Sequence, residues 1–141
     1  MGFNPYTKYR INPISREGAA KMQSYEVIFY DLEDGTEPAK EFLLSLDVKM
    51  RAKMLQTIDL LAVNGVELRE PHSKPLDDGI FELRAKAGSD ITRVLYFFMV
   101  GKRVILTNGF VKKTVKTPPA EIAWEKRYRA EYLGRKDGQN E

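Results

Sequence analysis

Two arginines on neighbouring predicted strands are the residues whose type and spacing best suit chemistry. Residues 80–84 alternate, so that Glu82 and Arg84 lie on one face of a strand and Leu83 on the other. Arg93 lies early in the next predicted strand, so Arg84 and Arg93 can approach each other across a hairpin. Each guanidinium is a planar fork of donors that stays protonated, which suits a phosphate group. The alternative interpretation is that Glu82 pairs with Arg84 or Arg93 as a surface ion pair.

Lysines near the predicted strand ends would extend this phosphate site. Lys112 and Lys113 lie just past the last predicted strand, and Lys74 lies on the loop that leads into the three-stranded region. If the strand ends converge, these lysines and the two arginines form a concave basic surface. Tyr96, Phe97 and Phe110 are possible stacking partners beside it, although most of these aromatic residues are expected to be core and at most one to contact a base. Cations interleaved with aromatic rings favour single-stranded RNA.

The composition excludes several other kinds of site. The chain of 141 residues has no cysteine and a single histidine, His72, so disulfides, thiolate metal sites, cysteine nucleophiles and a histidine-rich metal site are impossible. The longest apolar run, residues 94–100, is far shorter than the ~20 residues that span a bilayer. The first 24 residues lack the apolar segment of a signal peptide, so we expect no membrane association and a cytoplasmic location.

Positive charge is concentrated in the last third of the sequence. The whole chain has 23 basic and 20 acidic residues, a net charge of +3. Residues 102–136 alone hold ten basic and three acidic residues, a local net charge of +7. This asymmetry favours an anionic partner, of which nucleic acid is the commonest. The alternative is a solvated helix face followed by a basic tail.

The elements that would position these residues predict an α+β domain with the order β-α-α-β-β-β-α. Thr36 is predicted to cap the first helix and Asp47 the second, and these two helices form a hairpin that covers one face of a small, mainly antiparallel sheet. Trp124, on the last helix, is predicted to anchor packing. The predicted strands are residues 25–30, 79–85, 92–100 and 103–106, the last helix is residues 118–133, and residues 66–78 form a loop. The direction of the first strand is not determined.

The domain boundaries follow from the same pattern. Residues 1–24 show no sustained period and are predicted to be an irregular N-terminal arm. Residues 25–133 form one domain, and residues 134–141 a flexible C-terminal tail. The length fits a single core.

Several short motifs, taken in order, resemble the RelE/HigB superfamily of toxins, especially its phage-derived HigB-like branch. The resemblance extends over about residues 25–133, and its most specific part is Phe-Val-Lys-Lys-Thr at residues 110–114, with Thr-Pro just before the last helix. The other motifs are Lys-Pro-Leu at 74–76, Gly-Ile-Phe-Glu-Leu-Arg at 79–84, and Arg-Val-Leu-Tyr at 93–96. The resemblance implies a RelE-like fold and the toxin of a type II toxin-antitoxin system.

The resemblance also implies an activity, its residues and its partners. Such toxins cleave messenger RNA on the ribosome, with no metal or other cofactor, by attack of a ribose 2′-hydroxyl on the adjacent phosphate. Arg84 and Arg93 would stabilise phosphate charge, and Lys112 or Lys113 would position RNA or assist proton transfer. The residues that would contact RNA are Lys74, Lys116, Phe110 and Tyr128. The partner implied is a cognate helix-turn-helix antitoxin.

Two other functions stay open within the same superfamily, since fold does not fix function. A ParE-like member would inhibit DNA gyrase through protein contacts and would not need these cations to converge. A non-catalytic phage-derived relative would only bind an antitoxin. The presence of Arg84, Arg93, Lys112 and Lys113 favours the endoribonuclease.

Overall fold

The computed structural model describes residues 25–112 and 117–135. Within these residues it contains five strands, three α-helices and one short 3-10 helix. They are β1 (Glu26–Phe29), α1 (Pro38–Ser45), α2 (Val48–Asn64), the 3-10 helix (Gly65–Glu67), β2 (Ser73–Pro75), β3 (Phe81–Ala87), β4 (Asp90–Met99), β5 (Arg103–Lys112) and α3 (Pro119–Leu133). None of the helices in these two ranges is both long and apolar enough to cross a bilayer.

The strands form one open sheet in the order β1-β5-β4-β3-β2. β2, β3, β4 and β5 pair antiparallel, whereas β1 pairs parallel with β5, with Glu26 opposite Arg103. The predicted α+β class, with a helical hairpin on a mainly antiparallel sheet, is therefore confirmed. β1 and β5 can run parallel because no tight turn joins them: the two helices and three strands lie between them in the chain.

Two predicted element boundaries are wrong for physical reasons. The predicted loop of residues 66–78 contains β2, which pairs with β3 and places Ser73 opposite Leu83. A strand of three residues is too short to show an alternating pattern. β5 continues past the predicted end at Leu106 and includes Lys112. The prediction ended the strand there because the next residue, Thr107, is polar. Thr107 is accommodated at an irregularity in the β4–β5 register, where its hydroxyl donates to the Leu95 carbonyl at 3.1 Å.

The two predicted helix caps have different outcomes. Asp47 caps α2 as predicted, since its Oδ1 accepts from the Met50 amide at 2.8 Å. Thr36 does not cap α1, because the cap position is Glu37, which makes no side-chain capping bond. The Thr36 amide instead donates to Asp34 Oδ1 at 2.9 Å within the preceding turn. α3 begins one residue after Pro118 and ends at Leu133, in agreement with the prediction.

The main core lies between the helical hairpin and one face of the sheet. Leu43, Met54, Ile58 and Leu61 of the helices are fully buried against it. Gly109 of β5 lies directly under the ring of Phe42, so that a Cβ at this position would overlap the ring. Close approach of α1 to the sheet therefore depends on a glycine in the strand.

α3 packs on the opposite face of the sheet over a smaller core. Tyr30, Phe97, Ile105 and Tyr132 are its buried members among the described residues. The register places Leu83 toward the hairpin, so Glu82 and Arg84 point to the α3 side. This face is the one that carries the predicted phosphate site.

Candidate functional site

The β3–β4 hairpin brings the two predicted arginines together. Arg84 lies directly opposite Arg93 in the antiparallel register. This position follows from the two-residue turn at Gly88 and Ser89, in which Gly88 adopts a positive φ of 64°. The predicted approach of Arg84 and Arg93 across a hairpin is confirmed.

Glu82 holds the two guanidinium groups in place. Its Oε2 accepts from Arg84 Nε at 2.6 Å and lies 3.5 Å from Arg93 Nε. Its Oε1 accepts from the hydroxyl of Thr117, in the segment that leads into α3. The alternative of a surface ion pair is therefore corrected: the ion pair exists, but the Glu82 side chain is completely buried.

The two arginines differ in their access to solvent. The side chain of Arg84 is 24% exposed, whereas that of Arg93 is 1% exposed. Because one carboxylate faces two guanidinium groups, the cluster of Glu82, Arg84 and Arg93 has a net charge of +1. An anion that approaches this cluster meets Arg84 first, with a second positive charge behind it.

Two other predicted residues adjoin this cluster through the sheet register. Lys74, half-buried in β2, lies opposite Glu82. Phe110 of β5 lies opposite Arg93 and is 9% exposed, so its ring is mostly covered. Lys112 is the last residue of β5 and lies opposite Ile91 in the register. Lys113 and Lys116 lie outside the described residues.

Tyr128 lines a different groove, on the flank of α3 that faces the end of β1. Its ring stacks on Tyr30 at 4.7 Å between ring centroids and lies 5.5 Å from Trp124. The groove has a volume of about 790 Å³, and Arg84 and Arg93 are not part of its lining. The prediction that Trp124 anchors packing is wrong, because 43% of this residue is exposed at the groove. A hydrophobic residue type alone does not reveal which face of a weakly amphipathic helix is covered.

Two polar residues of this face are not identified by the sequence pattern. The local sequence of Thr117 indicates only a helix start, and nothing in it signals the bond to Glu82, 35 residues away. Glu125 of α3 is fully buried, and burial raises its pKa to about 7. Arg129 and Lys126 oppose this shift and Asp78 adds to it. Glutamate side chains are normally exposed, so the sequence would place Glu125 at the surface. Only the packed structure reveals its burial.

Comparison with known proteins gives one family. The family model of the phage-derived Gp49-like proteins (DUF891) matches residues 41–129, from within α1 to α3, and includes both arginines and Glu82. A search of curated proteins finds no match. In the described ranges, no group of three or more histidine, aspartate and glutamate residues is arranged to hold a metal ion. The match to the Gp49-like family model agrees with the phage-derived part of the resemblance. This match covers well over half of the sequence. The chain belongs to the phage-derived Gp49-like family.

Proposed function

We propose that the protein is the toxin of a type II toxin-antitoxin system and cleaves messenger RNA as a ribosome-dependent endoribonuclease. One observation carries the proposal: Arg84 is held by buried Glu82 on a hairpin, beside Arg93, with 24% of its side chain exposed. Membership of the Gp49-like family supports it, because that family is grouped with toxin-antitoxin toxins. A fixed guanidinium in a site of net positive charge suits a reaction whose transition state gains negative charge on phosphate.

The proposed reaction is an internal transfer within the RNA. The ribose 2′-oxygen forms a bond to the adjacent phosphorus while the bond from phosphorus to the 5′-oxygen of the next nucleotide breaks, which leaves a 2′,3′-cyclic phosphate. The 2′-hydroxyl gives up a proton and the departing 5′-oxygen gains one. No metal ion or other cofactor enters this scheme.

Each residue of the cluster has a distinct part in this proposal. Arg84 contacts the phosphate and stabilises the charge on its oxygens, and Arg93 adds positive charge from its buried position. Glu82 keeps Arg84 in one orientation, so that little ordering is needed when RNA binds. Lys112 or Lys113 positions RNA or assists proton transfer, which requires neighbouring cations to lower the pKa of that lysine below its ordinary range.

The proposed partners are messenger RNA on the ribosome and an antitoxin. The antitoxin is expected to be a small helix-turn-helix protein that covers the basic face. Because the cluster carries net positive charge, an acidic segment of the antitoxin would complement it.

The decisive experiment adds the purified protein to a translating extract and maps messenger RNA ends by primer extension. We expect cuts that depend on ribosomes, and a loss of about 100- to 1,000-fold in the cleavage rate for Arg84→Ala. Arg103→Ala is the matched control, because Arg103 is also a half-buried arginine of the same sheet but lies at the far end of β5. Its cleavage rate should equal that of the unaltered protein.

Three outcomes would count against the proposal. Equal cleavage by Arg84→Ala and the unaltered protein would remove Arg84 from the site. Intact message with normal translation would remove the endoribonuclease activity, and inhibition of DNA gyrase supercoiling by the same sample would then indicate the ParE-like alternative. Harmless expression without an antitoxin would indicate a non-catalytic protein.

A further inference from the structure

A cleft on the other side of Arg84 adjoins the cluster around Glu82 and shares Arg84 with it. It lies between α2 and the open edge of β3 and has a volume of about 430 Å³. That volume falls within the range of small-ligand sites, about 300–1,000 Å³. β2 pairs with β3 only from Phe81 to Leu83, so the rest of this edge is not covered by a strand among the described residues. The chain passes the edge at His72, whose carbonyl accepts from the Arg84 amide at 2.8 Å.

The charge of this cleft has a single sign. Lys53 of α2 and Lys86 of β3 line it together with Arg84, and both lysines are exposed. None of the described residues that line the cleft is an aspartate or a glutamate. A cleft whose charged lining residues are all cations concentrates the electric field and attracts a polyanion. Two lysines from two separate elements therefore line one opening, and Arg84 adjoins them.

The cleft also has the neutral surface that a nucleotide needs beside its phosphate. His72 and Ile91, both half-buried, form part of the wall, and Gln56 of α2 is exposed at the rim. A base can rest against an imidazole ring and an aliphatic side chain, and an amide can both donate to and accept from base edges. Cations, flat apolar surface and an amide are the features that single-stranded RNA uses.

We propose that the cleft between α2 and β3 is a binding channel for single-stranded RNA next to the reacting phosphate, with Lys53 and Lys86 as contacts to flanking phosphates. The inference rests on the proposed function, since Arg84 belongs to both the cluster and the cleft. RNA held at Lys53 and Lys86 is thereby led to Arg84. Neither lysine is among the residues expected from the sequence. Lys53 is distant from β3 in the chain and reaches this edge only through the packing of α2, and Lys86 lies just past the predicted end of its strand at residue 85.

The test measures binding of a short fluorescein-labelled RNA by fluorescence anisotropy over a range of salt concentrations. The RNA carries 2′-O-methyl groups, so that it cannot be cleaved. We expect weaker binding by Lys53→Gln and by Lys86→Gln. Each variant should also have a shallower salt dependence, with the slope of log K against log[salt] reduced by about 0.7 for each phosphate that the protein no longer neutralises. Lys102→Gln is the matched control, because Lys102 is an exposed lysine on the β4–β5 turn at the opposite end of the sheet.

The outcomes separate this inference from the proposed function. Weaker binding by the two cleft variants, with Lys102→Gln unchanged and circular dichroism the same for all, supports the channel. Equal affinity and equal salt slope in all variants overturn it, and so does a lack of RNA binding by the unaltered protein. Ribosome-dependent cleavage in the extract is measured on the same samples. Equal RNA binding together with full-rate cleavage in the cleft variants leaves the proposed function in place while the channel is rejected, whereas weaker RNA binding without any cleavage by the unaltered protein supports the channel and overturns the proposed function.

Discussion

The carboxylate of Glu82 links three side chains that come from three separate parts of the chain. It accepts from Arg84 of the same strand, faces Arg93 of the next strand, and accepts from Thr117 ahead of α3. A buried ion pair gives little net stability when compared with an apolar pair, but removal of one partner leaves a buried charge without compensation. The orientation of Arg84 and the stability of the domain are therefore coupled at this residue.

Replacement of Glu82 by alanine should destabilise the protein strongly. We expect a decrease of about 3–5 kcal/mol in the free energy of unfolding, because the almost fully buried Arg93 is deprived of the carboxylate beside it. Thr117→Val should cost only about 1 kcal/mol, since it removes one hydrogen bond and the Glu82 carboxylate keeps its bond to Arg84 through the other oxygen. Urea unfolding followed by circular dichroism measures both values. A Glu82→Ala protein as stable as Thr117→Val would contradict the coupling.

Glu125 should make stability fall as the pH rises through the range just below neutrality. Burial raises its folded-state pKa to about 7 from an ordinary value of 4.5. Between these two pH values the unfolded chain has released the proton of Glu125 and the folded chain still keeps it. The free energy of unfolding therefore decreases as the pH rises from about 4.5 to about 7. Glu125→Gln stays neutral and should be more stable than the unaltered protein by roughly 3 kcal/mol at about pH 8. At about pH 4.5 the two should be equal.

Urea unfolding at several pH values tests this expectation. The difference between the unaltered protein and Glu125→Gln isolates the carboxyl from other groups that titrate in the same range. Charges that face Glu125 come from Arg129 and Lys126 on its own helix and from Asp78 on the loop before β3. A difference that does not change with pH would mean that the Glu125 carboxyl titrates in the folded protein as it does in water.

Part of the site could be predicted at this scale and part could not. Arg84 and Arg93 are predictable because strand alternation and a tight turn determine which residues meet in a hairpin. The burial of Glu82 could not be predicted, because one of its partners is Thr117, which lies 35 residues away in the sequence. Local pattern predicts the face of a strand, but what covers that face depends on a distant part of the chain.

At the scale of elements, the fit between α1 and β5 depends on Gly109. Its backbone lies against the ring of Phe42, so the helix can approach the strand closely. Gly109→Ala should therefore lower the free energy of unfolding by about 1–3 kcal/mol, the usual cost of overpacking. Gly134→Ala is the control, because Gly134 has a φ of −83° and a Cβ there would make an ordinary contact with the Ala130 carbonyl at 3.4 Å.

A double-mutant cycle distinguishes the overlap from a general effect of alanine in a strand. In the background Phe42→Leu the smaller side chain leaves room for the added methyl group, so Gly109→Ala should cost less than it does alone. Thermal or urea unfolding of the four proteins gives the coupling energy. Equal costs in both backgrounds would show that the ring of Phe42 is not the obstacle.

Element prediction succeeds where a pattern is long and fails where it is short or interrupted. α2 has 17 residues with a regular apolar spacing and a capping aspartate, so both its type and its start are evident. β2 has three residues, and the middle of β5 contains the polar pair Thr107 and Asn108. Asn108 is buried because its amide donates to the Glu121 carbonyl and side chain of α3, an interaction that no local pattern reveals.

At the scale of the whole molecule, the two faces of the sheet are unequally supported. The described part of the chain buries fifteen residues in the core under the helical hairpin and four in the core under α3. Polar contacts compensate at the end of α3: Arg135 donates to the Asp31 side chain at 2.9 Å and to Glu131, and it lies over the rings of Tyr30 and Tyr132. Because Thr117, two residues before α3, donates to Glu82, the docking of α3 is linked to the proposed site.

This asymmetry predicts that α3 separates from the sheet before the domain unfolds. Native-state hydrogen exchange should give amides of α3 an opening free energy below that of α2, since few apolar contacts hold α3. Arg135→Gln should lower the value for α3 by about 1–2 kcal/mol and leave α2 nearly unchanged, because it removes charged hydrogen bonds to the β1 side. Arg127→Gln is the control, since Arg127 is exposed on α3 and contacts only the Trp124 ring among its described interactions. The expectation is contradicted if α2 and α3 have equal opening free energies and both values fall together in Arg135→Gln. The domain would then open as one unit, and α3 would not expose the arginine cluster independently.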